Sequence, residues 1–216
     1  MTTMIEKKLK VWYTNADGIT NKHEEWNERI SEKSPDIIAV TETKLDETIT
    51  DTIFPTGYQI LRKDRRSRGG GGVALLINHR WGFEEMEGMD MIGERDYIVG
   101  TIQSGEHKVV IGVMYNPPQN CRRPREEYEE NNRVMVDTLA EVARRAHSSR
   151  AKLLVMGDFN HREIDWENLE PHGDPETWRA KMMDVVLKNL MHQHVRDTTR
   201  EREGRMSQQD WILCSP

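Results

Sequence analysis

The segment at residues 153–160, Leu-Leu-Val-Met-Gly-Asp-Phe-Asn, limits the possible folds more than any other part of the chain. Its four leading apolar residues predict a buried central strand that ends abruptly at the glycine. Side chains two residues apart in extended backbone point to the same side, so Asp158 and Asn160 are predicted to project together from the strand end while Phe159 turns into the core. The alternative is an ordinary turn, because Gly, Asp and Asn are common turn formers.

The bulk composition restricts the class of protein. The chain has 216 residues, of which 36% are hydrophobic and 31% charged, which suits a single domain over residues 1–216 with a sizeable core. No apolar run approaches the roughly 18 residues that span a bilayer, and the N-terminus lacks the apolar stretch of a secretion signal. Two cysteines, Cys121 and Cys214, are too few for a disulfide framework or a thiolate metal cluster. We therefore expect an intracellular protein of a reducing compartment, the nucleus or the cytoplasm, with no membrane partner.

Charge is unevenly distributed along the chain. The formal net charge of -6 argues against a general nucleic-acid coat, which is expected to be basic. Basic residues nevertheless crowd into one segment, which contains Arg62, Lys63, Arg65, Arg66 and Arg68. A second basic group consists of Arg122, Arg123 and Arg125. These groups are interpreted as two loops that contact nucleic-acid phosphates around an acidic centre, and the alternative is that both are solvated surface loops.

Apolar periodicity predicts a mixed α/β fold. Strands are predicted over residues 10–14, 37–41, 72–77, 97–102, 109–115, 153–156 and 210–213. Helices are predicted over residues 22–32, 125–146 and 177–189, where Leu, Val, Met and Ala return every three or four residues. A Ser-Gly pair between the strands at 97–102 and 109–115 predicts an antiparallel hairpin, which argues against a purely parallel sheet.

The glycine cluster at residues 69–72 is predicted to be a flexible connection. A phosphate-binding loop needs Lys-Ser or Lys-Thr and a helix after its glycines. Here the sequence Val-Ala-Leu-Leu-Ile follows and predicts a strand instead.

Polar side chains follow several of the predicted strands at the point where each strand ends. The residues concerned are Asn15, Asp17, Glu42, Tyr115, Asp158 and Asn160. Between them they offer oxygen ligands for Mg²⁺, a base for water and donors for an oxyanion. This inventory predicts a metal-assisted phosphodiesterase.

Five motifs follow one another along the chain: Thr-Asn-Ala-Asp-Gly, Val-Thr-Glu-Thr-Lys, Gly-Gly-Val-Ala-Leu-Leu-Ile, Val-Met-Tyr-Asn-Pro-Pro and Gly-Asp-Phe-Asn-His. With them the sequence from about Leu9 to Leu213 resembles the endonuclease/exonuclease/phosphatase superfamily, and within it the apurinic-endonuclease-like domains of non-LTR (LINE-type) retrotransposons. The resemblance implies a four-layer α/β sandwich, with two mixed, largely antiparallel β-sheets face to face and helices outside. It also implies a DNA nickase that depends on Mg²⁺ or Mn²⁺.

The resemblance assigns a metal and phosphate pocket by position. Glu42 would be the Mg²⁺ ligand, and Asp17 would assist it. Asn15 and Asp17 would shape the pocket for the metal and the phosphate. The alternative for Asn15 and Asp17 is a role as turn formers.

The same resemblance assigns the reacting groups. Asp158 would activate the attacking water, Asn160 would hold that base and the scissile phosphate, and Tyr115 would hydrogen-bond the phosphate as charge develops. Asp210 matches the acid that orients a catalytic histidine near the C-terminus. The alternatives are a half-buried strand aromatic for Tyr115 and a surface acid for Asp210.

One element of the family pattern lies beyond the given sequence. The family continues past the strand of Asp210 to a last strand with a Ser-Asp-His element, whereas this sequence ends at Pro216. We therefore expect a sandwich without its last strand, an activity reduced by about two to three powers of ten, and an unpaired sheet edge that favours self-association. His161 follows Asn160 directly and is predicted to face away from the site.

Two alternatives to a DNA endonuclease stay open at this point. One is a nucleic-acid- or protein-binding remnant that keeps the fold without the full site. The other is a small-molecule phosphoesterase of the same superfamily, against which the basic segment argues because it suits a polymeric anion.

Overall fold

The computed structural model describes residues 8–65, 70–89, 96–104, 107–119, 124–161, 164–171, 177–197, 199–202 and 205–216. Its helices are α1 (His23–Lys33), α2 (Arg125–Ser148) and α3 (Trp178–Lys188), and a 3₁₀ turn covers Asp51–Ile53. Its strands are β1 (Val11–Asn15), β2 (Ile37–Thr41), β3 (Tyr58–Lys63), β4 (Val73–Asn78), β5 (Phe83–Glu85), β6 (Tyr97–Ser104), β7 (His107–Tyr115), β8 (Lys152–Asp158), β9 (Ile164–Asp165), β10 (Glu170–Pro171), β11 (His192–Gln193), β12 (Arg200–Arg202), β13 (Arg205–Ser207) and β14 (Asp210–Cys214).

Most of the strands form two mixed sheets. The first sheet has the order β1-β2-β4-β3, with β1 parallel to β2 and the other pairs antiparallel. The second has the order β11-β14-β8-β7-β6-β5, with β7 parallel to β8 and the other pairs antiparallel. Two small antiparallel pairs, β9 with β10 and β12 with β13, lie outside the two sheets.

The buried side chains divide the molecule into four layers. Alternate residues of β2 point to opposite faces, so Ile37 and Ala39 pack against the second sheet while Ile38 and Val40 pack against α1. All five residues of β2 are therefore buried, as expected for a strand covered on both sides. The outer face of the second sheet packs against α2 and α3. The two mixed sheets flanked by helices confirm the predicted α/β sandwich.

Every predicted helix and strand is present, with bounds that differ by at most two residues, and β2 has the predicted bounds. The predicted hairpin is also confirmed, since β6 pairs with β7 antiparallel over its whole length. Three strands of the main sheets, β3, β5 and β11, were not predicted. Strand β3 has the sequence Tyr-Gln-Ile-Leu-Arg-Lys, whose pattern does not alternate, and β5 is three residues long.

The outer side of β14 is paired in the described part of the chain. His192 and Gln193 of β11 stand opposite Cys214 and Leu213. The Gln193 Oε1 atom accepts the backbone N–H of Ile212 at 2.8 Å, which extends the coverage of β14 beyond the two paired residues. The expectation of an unpaired edge is therefore wrong for β14. Self-association through the edge of β14 then loses its structural reason. Among the described helices none has the length and apolar content to cross a bilayer.

Candidate active site

The topology brings the polar strand ends to one rim of the sandwich. Strands β1 and β2 run parallel in the first sheet, and β7 and β8 run parallel in the second. Strand β14 is antiparallel to β8, so its first residue, Asp210, stands opposite Asp158, the last residue of β8. Sequence positions that are nearly 200 residues apart thus meet at this rim.

Asn15, at the end of β1, links the two sheets at the centre of the site. Its Nδ2 atom donates to Glu42 Oε1 at 3.0 Å and to Asp158 Oδ2 at 2.9 Å. Its Oδ1 atom accepts the backbone N–H of Asp17 at 3.0 Å. One amide therefore orients both carboxylates, which belong to different sheets.

Glu42 occupies a strained backbone position directly after β2. It has a φ of +52°, a left-handed conformation that costs energy for a residue other than glycine. The loop is nevertheless held by backbone hydrogen bonds from Gly18 to the Glu42 carbonyl and from Lys44 to the Gly71 carbonyl, at 2.8 and 2.9 Å. Gly71, from the cluster predicted to be a flexible connection, thus has a defined role in holding the loop of Glu42.

Asp158 is buried, with 2% of its surface exposed. Burial raises the pKa of its carboxyl to about 7, and the nearby charges of Asp210 and Glu42 act in the same direction. The hydrogen bond from the backbone N–H of Asn160, 3.0 Å from Asp158 Oδ1, opposes that rise. The carboxylate is therefore held inside the molecule, poised to exchange a proton near neutral pH.

Asn160 lies beside Asp158 for a different reason from the one predicted. Its φ is +52°, so the chain has left the extended conformation and the argument from same-face spacing is wrong. The left-handed turn aims the backbone N–H of Asn160 at Asp158, and the Asn160 side chain donates to the Asn116 carbonyl at 2.8 Å. Phe159 is fully buried and stacks on Trp211, as the alternation predicted.

Tyr13 completes the cluster and was missed in the sequence. Its hydroxyl donates to Asp210 Oδ1 at 2.5 Å and lies 3.0 Å from Thr41 Oγ1. Burial, with the charges of Asp210 and Asp158, raises its pKa well above the ordinary value, so the phenol stays neutral and acts as a donor. The available signal was its position two residues before Asn15, on the same face of β1.

Tyr115 ends β7 and is almost fully buried. Burial raises the pKa of its phenol, and the charges of Glu42 and Asp158 add to that effect. The Tyr115 backbone N–H donates to the Asp96 carbonyl at 2.8 Å, which fixes the strand end. A neutral phenol at this rim can donate a hydrogen bond to an anionic oxygen.

Asp17 is more exposed than the other acids of the site. Its carboxylate is ion-paired with the ammonium group of Lys44 and has 73% of its side chain exposed. The same Lys44 Nζ atom lies 4.0 Å from Glu42 Oε2. Lys44 thus stands between Asp17 and Glu42, and the role of Asp17 in metal binding stays a prediction.

The basic segment serves the fold more than was predicted. The Arg62 guanidinium contacts Asp64, Asp51 and the carbonyls of Ile49 and Asp46, with 14% of its side chain exposed. Arg62 therefore connects two loops of the fold, and its contact with DNA stays a prediction. Lys63 Nζ lies 5.1 Å from the ring centroid of Tyr97, and Arg65 is ion-paired with Asp96.

Of the other five arginines in the two basic groups, only Arg125 lies in the part of the chain that the structure describes. Arg66, Arg68, Arg122 and Arg123 lie outside the described residues. Arg125 begins α2, with its Nε atom 3.8 Å from the Glu129 carboxylate.

His161 faces away from the site, as predicted. It is 1% exposed, and its ring centroid lies 4.1 Å from that of Trp178 and 5.4 Å from that of Trp211. Burial holds its pKa well below the ordinary range, and the charge of Arg179 adds to this. His161 is therefore a neutral core residue.

The cluster suits a hard dication held by few protein ligands. In the described ranges, no three His, Cys, Asp or Glu side chains converge closely enough to form a metal cage of their own. Mg²⁺ is usually bound through one or two carboxylates, with water and substrate phosphate filling its other positions. Glu42 fits that role, because it keeps 18% of its side chain exposed while Asp158 is buried. The mutual repulsion of Asp158, Asp210 and Glu42 favours a cation there.

Two facing sheets with carboxylates, amides and a phenol gathered at their strand ends are typical of phosphoester hydrolases. The chain belongs to the Endonuclease/Exonuclease/phosphatase family, whose model matches residues 13–216. This membership supports hydrolysis of a phosphoester bond by a nuclease or a related phosphoesterase. A comparison with curated proteins gives no match.

Solved structures share the fold at low sequence identity. An AP endonuclease from Archaeoglobus fulgidus has a TM-score of 0.67 and 17% identity, with 97% of this chain and 87% of that chain covered. The catalytic domain of APE2 from Xenopus laevis has a TM-score of 0.71 and 17% identity, with 96% and 82% covered. The endonuclease domain of TRAS1, a telomere-specific non-LTR retrotransposon, has a TM-score of 0.65 and 15% identity, with 96% and 85% covered.

Proposed function

We propose that this protein is a divalent-metal-dependent DNA endonuclease that nicks one strand by hydrolysing a phosphodiester bond. The observation that carries the proposal is the Asn15 amide, which holds the carboxylates of Glu42 and Asp158 together across the two sheets. A charged ligand for a metal and a buried base beside it are two of the groups that metal-assisted hydrolysis at phosphorus uses.

Each residue of the site has a separate role in the proposed reaction. Asp158 takes a proton from the attacking water, and its pKa of about 7 matches that task near neutral pH. As the bond from the water oxygen to phosphorus forms, the bond from phosphorus to the leaving sugar oxygen breaks, and that oxygen takes up a proton from solvent water. Asn15 and the backbone N–H of Asn160 keep the Asp158 carboxylate oriented, and the Tyr115 phenol donates to a phosphate oxygen.

Three further acids take supporting roles in this proposal. Asp210, held by the Tyr13 hydroxyl, raises the pKa of Asp158 by its charge. Glu42 holds the Mg²⁺ or Mn²⁺ ion, with Asp17 nearby. The ion, when bound, supplies Lewis-acid stabilisation of negative charge on the phosphate.

DNA is the proposed substrate, and the protein is proposed to derive from a non-LTR retrotransposon. Structures of the same fold include two described by name as AP endonucleases and the endonuclease domain of a retrotransposon. Lys44 and Lys63 add positive charge on the side of the site formed by the first sheet. Cationic side chains around an acidic centre suit a polyanion that must bring its phosphate to a metal.

Nicking of supercoiled plasmid DNA tests the proposal. The parent protein should convert supercoiled plasmid to the open circular form with Mg²⁺ or Mn²⁺, and a chelator should stop the conversion. Asp158→Asn and Glu42→Gln should each slow nicking at least about 100-fold, because each removes a charged group from the reaction. Asp184→Asn is the matched control, since it makes the same change on the exposed surface of α3 and should nick like the parent.

Two results would contradict the proposal in different ways. Salt-sensitive DNA binding without metal-dependent nicking would identify a binding remnant. Release of phosphate from a small phosphate ester, with plasmid left intact, would identify a small-molecule phosphoesterase.

A further inference from the structure

Arg65 joins the two sheets beside the proposed active site. It follows β3 by two residues, at the edge of the first sheet. Its guanidinium is ion-paired with the carboxylate of Asp96, which directly precedes β6 of the second sheet. The Asp96 side chain is 4% exposed, and a buried carboxylate of this kind is costly unless it is paired.

The same pair holds Tyr115 from two sides. The Arg65 Cζ atom lies 5.6 Å from the centroid of the Tyr115 ring, within range of a cation–π contact. The backbone carbonyl of Asp96 accepts the Tyr115 N–H at 2.8 Å. Asp96 therefore fixes the Tyr115 backbone, while Arg65, held by the Asp96 carboxylate, covers the ring.

Gly71 gives the guanidinium room to lie in this place. A Cβ atom at position 71 would lie 2.5 Å from Arg65 Nε, so the Arg65 side chain packs directly on the glycine backbone. Gly71 has a φ of +80°, and its carbonyl accepts the backbone N–H of Lys44 in the Glu42 loop. Arg65 thus lies between the loop that carries the proposed metal ligand and the ring of Tyr115. A planar, stacking guanidinium suits such a position.

We infer that Arg65 is a positioning residue, which acts on the reaction by holding the Tyr115 phenol in place and not by binding DNA. The inference rests on the proposed function and deepens it. Arg65, predicted as a phosphate-contacting member of the basic segment, would instead support the hydrogen-bond donor Tyr115. Small displacements of a reacting group are costly, since a shift of about 1 Å lowers a rate by up to about 100-fold.

A double-mutant cycle separates action through Tyr115 from contact with DNA. Initial nicking rates are measured against plasmid concentration for the parent, Arg65→Met, Tyr115→Phe and the double variant. Arg65→Met should lower kcat about 10- to 100-fold with little change in KM. In the Tyr115→Phe background the same change should cost little more, because the group that Arg65 positions is already gone.

Arg80 supplies the matched control. It is ion-paired with the buried Asp36, and its Cζ atom lies 5.6 Å from the ring of Trp81, at the opposite end of β2 from Glu42. Arg80→Met therefore removes the same combination of contacts far from the site and should leave kcat unchanged. Arg65→Lys keeps the charge and should retain a larger share of kcat than Arg65→Met. The lysine variant also tests the inference if the methionine variant folds poorly.

The outcomes distinguish this inference from the function on which it rests. A rise in KM at unchanged kcat, or losses that multiply fully in the double variant, would overturn the positioning role in favour of DNA contact. A different result would contradict this inference alone: the parent nicks plasmid, Asp158→Asn does not nick, and Arg65→Met nicks as fast as the parent. If the parent does not nick plasmid with either metal, the proposed function fails and this inference fails with it.

Discussion

At the scale of single residues, the site places a buried acid, Asp158, beside two partly exposed ones, which is costly for folding alone. Asp158 is held among Asp210 and Glu42, and the hydrogen bonds of Asn15 and Asn160 offset the cost of its burial only in part. A carboxyl with a raised pKa in such a cluster is typical of a functional site. The arrangement has consequences for stability as well as for chemistry.

Asp158→Asn should stabilise the metal-free protein at high pH. The pKa of Asp158 is about 7 in the folded state and near 3.8 ordinarily, so the folded state binds the proton more tightly. The stability of the parent should therefore fall as pH rises from about 4 to about 7. Each pKa unit corresponds to about 1.4 kcal/mol, so the shift amounts to about 4 kcal/mol. Because the asparagine also loses part of the hydrogen bonding of the carboxylate, we expect a net gain on the order of 2 kcal/mol for the variant at pH 8.

Urea denaturation of both proteins at pH 4 and pH 8, in chelator, measures this effect. The gain should disappear at pH 4, where the carboxyl is protonated in the folded protein. If the two proteins differed in unfolding free energy by the same amount at pH 4 and at pH 8, the charge of Asp158 would not be destabilising in the folded state.

Tyr13→Phe should slow nicking about tenfold by releasing Asp210. The Tyr13 hydroxyl is the donor that holds the Asp210 carboxylate, at 2.5 Å. Tyr58→Phe is the control, because the Tyr58 hydroxyl donates to the Pro35 carbonyl at 2.7 Å near the other end of β2. Both variants should lose about 1 kcal/mol of stability, but only Tyr13→Phe should lose nicking rate. Equal nicking rates in the two variants would remove Tyr13 from the proposed site.

At the scale of elements, the parallel pair β7 and β8 sets the position of the site. Gly157 stands opposite Met114, and a Cβ atom there would clash with the Met114 carbonyl. The glycine therefore permits a close approach of backbone that brings the end of β8 against the end of β7. Tyr115 and Asp158 are opposite each other in the register that results.

Gly157→Ala should lower the free energy of unfolding by about 3 kcal/mol or more, because the added methyl meets backbone that cannot move aside. Gly112→Ala is a control on the neighbouring strand, where the added Cβ would meet the Val99 and Val155 side chains at 3.5 and 3.6 Å. That change should cost less than about 1 kcal/mol. Denaturant midpoints measure both, and similar losses would contradict the close approach at Gly157.

At the scale of the whole molecule, the site lies where the two sheets meet. Asn15 and Glu42 come from the first sheet, and Asp158 and Asp210 come from the second. A cation that binds there binds the folded protein alone, because unfolding separates the groups around it.

Mg²⁺ should therefore raise the melting temperature. At ten times its dissociation constant it should add about 1.4 kcal/mol, equivalent to about 3 to 6 °C for a domain of this size. Glu42→Gln should lose most of that shift, because a hard dication prefers a charged carboxylate, whereas Asp184→Asn should keep it. Thermal scans with and without Mg²⁺ give the comparison. The same shift in parent and Glu42→Gln would exclude Glu42 as the ligand.

Most elements of the fold and most members of the proposed site could be predicted from the order of residues alone. Apolar alternation depends on residues close in the chain, so it predicted β2, the hairpin of β6 and β7, and the three helices. Glu42 and Asp158 stood out because each closely follows an apolar run that predicts a buried strand. The elements and these two residues could both be predicted without knowing which strands are neighbours in a sheet.

The tertiary structure decided which side chains meet. Tyr13 contacts Asp210 across 197 positions of sequence, and Arg65 reaches Asp96 and Tyr115 on the other sheet. Hydrogen bonds and ion pairs act over a few ångströms, and the pairing of strands places distant residues within that range. The pKa of Asp158, the loop-fastening role of Arg62 and the support of Tyr115 by Arg65 depend on such neighbours, and they follow from the fold and not from the order of residues.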